Sequence, residues 1–144
     1  MNSAALACDL GDVDCLVINE SEARALVGEG EPAKALEACR RLNARMEVLL
    51  TLGSEGSCFM DQSGAVTRMG ICPVEAVDTT AAGDCFEGFF VAACARGKGP
   101  KEALRMAAAA SALCVTKKGA SPSIPSLAEA EAFMPRVCEG LPKA

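Results

Sequence analysis

Apolar residues fall into short runs separated by polar, glycine or proline breaks, and the spacing inside each run sets the element it predicts. "DCLVIN" (Asp14–Asn19) is a continuous β-rich run of strand length and predicts a buried strand. "SEARALVG" follows, with Asn19 or Ser21 able to cap a short helix and Gly28 able to close it. From Pro32 to Arg45 the residues Ala35, Leu36, Cys39 and Leu42 share one face, which predicts an amphipathic helix with proline in its first turn. "MEVLLTLG" (Met46–Gly53) predicts a second buried strand ending in a glycine turn. "GSCFMD" and "AVTRMG", joined by "DQSG", predict a hairpin. Pro73 keeps "ICPVEAV" extended. Helices are predicted over Ala82–Arg96, Pro100–Lys117 and Ser126–Cys138.

Strands alternating with helices predict an α/β layer structure with a largely parallel sheet. The length, 144 residues, is that of a single domain. Neither an internal repeat nor a long linker interrupts it. The sheet is small for the helices it must support.

Composition narrows the chemistry. A net charge of −5 with scattered basic residues argues against a nucleic-acid surface. The longest apolar stretch, Met106–Val115, is mostly alanine and too short to span a membrane, so no membrane partner is expected. The opening, "MNSAALACDLGDVDC", has no basic segment ahead of an apolar one and predicts no secretory leader. The nine cysteines are odd in number and contain no CxxC pair. Several sit in apolar runs, as small hydrophobes of a protein in a reducing cytoplasm. Histidine and tyrosine are both absent. Ser-His-Asp and Cys-His catalysis are thereby excluded, and a general base must be a carboxylate, a lysine or a cysteine.

Candidate chemistry concentrates in "VDTTAAGDCFEGFF" (Val77–Phe90). Small residues precede an aspartate at the predicted start of a helix, where unpaired N–H groups and a partial positive charge favour an anion. An aspartate there stays ionised and suits phosphoryl transfer, which relies on positioning and charge stabilisation more than on a strong base. An ordinary acidic first turn would look the same on composition alone. Gly28-Glu-Gly30-Glu-Pro-Ala33 fits a loose dinucleotide pattern but puts glutamates where pyrophosphate would lie, and GxxxxGK[ST] does not occur.

The string Asp78-Thr-Thr-Ala-Ala-Gly-Asp84-Cys-Phe-Glu-Gly88 resembles the signature DTxGAGDxFxG of the ribokinase (PfkB) carbohydrate kinases, with Ala81 at its first glycine. "VINESEARALVG" is similar to the family's NxxE segment, "TLGSEGS" to its nucleotide loop, and "VTKKGASPSIPS" to its cation-loop segment. They occur in the family's order from Asn19 to Pro125.

The resemblance implies a partial ribokinase-like α/β fold, the carboxy-terminal half of a mostly parallel sheet flanked by helices. It implies an ATP-dependent sugar kinase, with D-ribose the favoured substrate. Asp84 would be the catalytic base, and Ala81, Ala82 and Gly83 the anion hole that holds the transferring phosphate through backbone N–H groups. Asn19 and Glu22 would organise the nucleotide phosphates and Mg²⁺ through water, which suits an ion that keeps most of its hydration. Their plainer reading is a helix cap and a first-turn acid. Thr51, Gly53, Ser54 and Gly56 would run along the nucleotide. Asp78, Thr80, Cys114, Lys117, Gly119 and Ser123 would surround a monovalent cation, K⁺, mostly through carbonyls.

Two positions depart from the pattern. Ala108 stands where family members often place a His or Asn near the adenine, and Phe89 replaces a small residue after Gly88. The family's amino-terminal half, with its sugar site, lid and di-glycine motif, has no counterpart here. An oligomer, or a partner half covering the open sheet edge, is therefore expected. So is a second possibility, a nucleotide-binding or assembly module without catalysis of its own. A third is an unrelated α/β domain that uses the Asp84 helix only for packing.

Overall fold

A computed structural model describes residues 10–139. They form two compact units, the first running to Gly53 and including Ser57–Thr67, the second comprising Ser54–Gly56 and the chain from Arg68 onward. The architecture is α/β, as the alternation of elements predicts.

In the first unit, strand β1 (Cys15–Asn19) runs directly into helix α1 (Glu20–Val27). Asn19 is the junction, its side chain accepting from the Glu22 amide at 2.9 Å while the Glu22 carboxylate accepts from the Asn19 amide at 2.8 Å. This reciprocal box satisfies two donors that the helix cannot. Gly28 closes α1 with φ of 78°, a left-handed conformation that glycine adopts without a Cβ penalty.

Helix α2 (Pro32–Arg40) ends five residues before the predicted Arg45. Asn43 is the reason. Its side-chain amide donates to the carbonyls of Leu10 (2.9 Å) and Val13 (3.2 Å), and its oxygen accepts from the Arg45 amide (3.0 Å). Asparagine here bonds locally instead of continuing the helix. Leu42, expected on the apolar face, is 43% exposed in consequence.

Strand β2 (Glu47–Thr51) pairs parallel with β1, from Cys15 opposite Glu47 to Asn19 opposite Thr51. Strand β3 (Ser57–Met60) pairs antiparallel with β2, and β4 (Val66–Met69) follows through the predicted turn. The sheet order is β1-β2-β3-β4, so the sheet of this chain is mixed, with its parallel pairing at β1 and β2. The Asp61 carboxylate tightens the turn by accepting from the amides of Ser63 (2.8 Å) and Ala65 (3.0 Å). Leu36 and Cys39 of α2, Met46, and Val48, Leu49 and Leu50 of β2 are buried.

The second unit is helical. Helix α4 (Pro100–Val115) lies between α3 (Ala82–Ala95) and α5 (Leu127–Phe133), packing on both. Its alanine run, Ala107–Ala110, is buried and lets neighbouring backbones approach closely. Helix α5 stops at Phe133, short of the predicted Cys138, and a 3₁₀ turn, Met134–Arg136, takes over. Pro135 lacks the N–H that another helical turn would need. Cys39, Cys72, Cys85 and Cys114 are buried thiols, and burial pushes Cys85 up to about 12, with the adjacent Cys114 adding to the effect. Among the described residues, no helix is long and apolar enough to cross a membrane.

Candidate active site

The second unit assembles its candidate site from two loops and the helices they join. The first loop, residues 77–81, arrives from the extended Pro73 segment and turns into α3. The amides of Val77 (2.8 Å) and Asp78 (3.1 Å) both donate to the Val115 carbonyl, which anchors the loop to the end of α4. The Asp78 carboxylate then joins it to the second loop, accepting from the Thr80 amide (2.9 Å) with one oxygen and from the Gly119 amide (2.9 Å) with the other. The Thr80 side chain, then the Gly119 and Thr80 amides, hold Asp78 down from the ordinary 3.8 to about 2.

That shift fixes a sign. A carboxylate depressed in the folded state contributes stability that is complete above its unfolded value, near pH 4, and is lost as pH falls toward 2. We expect urea midpoints of the native protein to fall between pH 4 and 2. Asp78→Asn should flatten that part of the profile, as measured by chemical denaturation at successive pH values.

Ala81 caps α3 at φ of 61° and ψ of 10°, and it is the one non-glycine residue with positive φ among those described. A left-handed alanine costs about 1–2 kcal/mol, so the surrounding bonds must impose this turn. The first intrahelical bond is Cys85 N–H to the Ala81 carbonyl (2.9 Å), and the Ala82 amide turns back to Thr79 (3.2 Å). The amides of Ala81 and Gly83 are left at the helix start without an acceptor, together with the dipole's positive end.

The second loop leaves α4 at Cys114. The Cys114 thiol is 3.1 Å from the Ser123 hydroxyl and 3.9 Å from the Thr80 carbonyl, and Ser123 donates to the Ala120 carbonyl at 2.6 Å. The Lys117 amide returns to the Cys114 carbonyl at 3.2 Å, and its ammonium lies 3.8 Å from Glu129. Asp78, Thr80, Cys114, Gly119 and Ser123 are thus linked by one chain of contacts, with Lys117 on the same loop. Ala108, two turns earlier on α4, is only 7% exposed. No cluster of three or more Asp, Glu or Cys side chains is placed to hold a metal among the described residues. Any cation at these loops would depend on backbone and hydroxyl oxygens beside the single carboxylate of Asp78.

Asp84, in the first turn of α3, is exposed and lines a cavity of about 390 Å³. The rest of that cavity is largely apolar, with Gly88, Phe89, Ala92, Met106 and Leu127 on its walls. Phe89 also packs against the buried cluster of Cys85, Met106, Ala110, Cys114 and Ala130, so the bulk that replaces a small residue is absorbed behind the helix.

Of the remaining candidates, Asn19, Glu22, Thr51 and Gly53 belong to the first unit and Ser54 and Gly56 to the second. Asn19 and Glu22 form the capping box at the carboxy-terminal end of β1, and Thr51 is half-buried at the same end of the parallel β2. Gly53 opens a 3₁₀ turn, Gly53–Glu55, with φ of 54°. Gly56, assigned to the second unit, has φ of 106°, and a Cβ there would strike the Met69 carbonyl. Only glycine fits that position.

Residues 4–127 match the sequence profile of the pfkB family carbohydrate kinases. The chain belongs to this family. Ribokinase of Schizosaccharomyces pombe is 42% identical over 123 residues, which cover 81% of this chain and 39% of that protein. Among solved structures, Arabidopsis thaliana ribokinase complexed with ribose and ATP superposes with a TM-score of 0.80 at 36% identity, covering 87% of this chain and 42% of the other. Ribokinase of Thermotoga maritima gives 0.76 at 39% identity, covering 85% and 42%. The PfkB chain therefore spans about two-fifths of the length of these relatives.

One residue of the site carried no sequence signal. Ser111, a lone hydroxyl in the alanine run of α4, donates to the Ala82 carbonyl at 3.1 Å.

Proposed function

We propose that this PfkB chain is the nucleotide-binding and catalytic portion of an ATP-dependent sugar kinase that moves a phosphoryl group from ATP to a sugar hydroxyl. D-Ribose, giving ribose 5-phosphate, is the favoured acceptor. The observation that carries this reading is the exposed Asp84 carboxylate in the first turn of α3, beside the acceptor-free amides of Ala81 and Gly83. Asp84 takes the proton from the attacking hydroxyl as the new bond forms. The amides meet the charge on the transferring phosphate, already oriented before it arrives.

Asn19 and Glu22 would organise the nucleotide phosphates and Mg²⁺ through water. Thr51, Gly53, Ser54 and Gly56 would flank the nucleotide, with Ala108 facing adenine less effectively than a polar residue. K⁺ would be held by Asp78, Thr80, Cys114, Lys117, Gly119 and Ser123, mostly through backbone carbonyls, and would supply fixed positive charge that shapes the anion-hole loop. A reducing cytoplasm suits the buried thiols.

A second reading is a nucleotide-binding module that does not catalyse alone, because the matched stretch covers only about two-fifths of each relative. Proximity supplies much of a kinase's rate, and a sugar left unheld forfeits it. Calorimetric titration with ATP·Mg²⁺ in K⁺ buffer should show saturable binding. Ribose phosphorylation should then appear when the portion of a PfkB kinase that this chain does not match is supplied in trans. Binding without turnover in that mixture leaves the module, and absence of binding removes both readings.

A further inference from the structure

Resting on the anion-hole reading above, we propose that Ser111 is a positioning residue for phosphoryl transfer. It aims the Gly83 amide by holding the other end of the same peptide unit. All described peptide bonds are trans, so the Ala82 carbonyl and the Gly83 N–H belong to one plane and point in opposite directions. Ser111 Oγ donates to that carbonyl at 3.1 Å from α4. The bond draws the carbonyl toward α4 and turns the Gly83 N–H away from it, outward from the first turn of α3.

A serine in mid-helix ordinarily bonds back to its own preceding turn or faces water. Ser111 is half-buried and reaches another helix instead. Cys114 stands on the same face of α4, three residues on. Its thiol approaches the Thr80 carbonyl at 3.9 Å, and that peptide unit carries the Ala81 N–H. The two side chains of α4 therefore address two of the peptide units at the helix start whose amides have no acceptor, those that carry the Ala81 and Gly83 N–H groups. The intervening unit is bonded at both ends without them, its Ala81 carbonyl accepting from the Cys85 amide and its Ala82 amide donating to the Thr79 carbonyl. Without Ser111, the 82–83 peptide is held only by the helix's first turn, the least restrained part of α3.

The test uses the full chain labelled with ¹⁵N and ¹³C. Ser111→Ala should shift the ¹³C resonance of the Ala82 carbonyl in the absence of any ligand, because that carbonyl loses its second donor and keeps only the intrahelical bond of α3. It should also weaken binding of ADP·Mg²⁺·AlF₄⁻, followed at the Gly83 amide, by about threefold to tenfold, the range of one ordinary hydrogen bond. Ser111→Thr, which keeps the hydroxyl, should restore both signals. Alanine is the better helix former, so the melting temperature should hold or rise and a fold defect is separable from mispositioning. An unmoved Ala82 carbonyl, unchanged affinity in Ser111→Ala, or failure of Ser111→Thr to restore it overturns the role of Ser111 alone. A native Gly83 amide that ignores the fluoride complex overturns the anion-hole reading, and Ser111's role with it.

Discussion

Asp84→Asn should leave ATP·Mg²⁺ affinity essentially unchanged and reduce the turnover of the assembled kinase by about 10²–10⁴-fold, the usual contribution of a positioned general base. The substitution preserves size and hydrogen-bonding capacity, and asparagine is tolerated at a helix start. Asp84 is exposed, so no packed neighbour is disturbed. The loss would therefore fall on the chemical step. Steady-state kinetics of the chain supplemented with the portion of a PfkB kinase that it does not match would measure kcat, and calorimetry would measure the nucleotide separately. A chain without histidine or tyrosine has few substitutes for this carboxylate. Another acid of the site, Asp78, has both oxygens committed to amides of Thr80 and Gly119 and is a poor proton acceptor. Turnover that survived Asp84→Asn would place the base elsewhere and undo the mechanism.

The strand and helix cores were legible because their periodicity is a direct consequence of burial. Three consecutive leucine or valine positions in β2 are buried on both faces of the sheet, as a continuous apolar run predicts. The start of α3 was legible for another reason: small residues before an acid suit a helix whose first turn must stay open. Helix ends were harder. Asn43 and Pro135 stop α2 and α5 through a side-chain bond and a missing donor, and those effects outweighed the apolar spacing that continued beyond them. The left-handed turn at Ala81 was not legible either, because alanine disfavours it and only the Asp78 network around it makes it affordable. Ser111 lay further out of reach. A hydroxyl within an alanine run says nothing about which carbonyl of another helix it will meet. The family motifs located Asp78 to Asp84, whereas on our proposal the directions of the 80–81 and 82–83 peptides are set from α4.

Because α4 sets those directions, its own packing should govern the second unit. Leu104 is fully buried on α4 at 0% exposure, among small neighbours Ala103 and Ala107 that cannot expand to fill a gap. Leu104→Ala should lower unfolding free energy by about 2–5 kcal/mol, combining lost transfer energy with an unfilled cavity. Against a typical domain stability of about 5–15 kcal/mol, that is a large fraction. Urea denaturation with a second-unit probe, such as the Gly83 amide resonance, would report it directly. Ser111 lies seven residues along the same helix, about 10 Å away. While the variant remains folded, the Ser111 bond to Ala82 should persist, leaving the Ala82 carbonyl resonance close to its native position. A cavity at Leu104 and a missing hydroxyl at Ser111 should thus separate cleanly, the first costing stability with little change in anion affinity, the second costing affinity with little change in stability. Equal effects on both quantities in both variants would mean that α4 acts only as a structural support and does not orient the peptides of the loop.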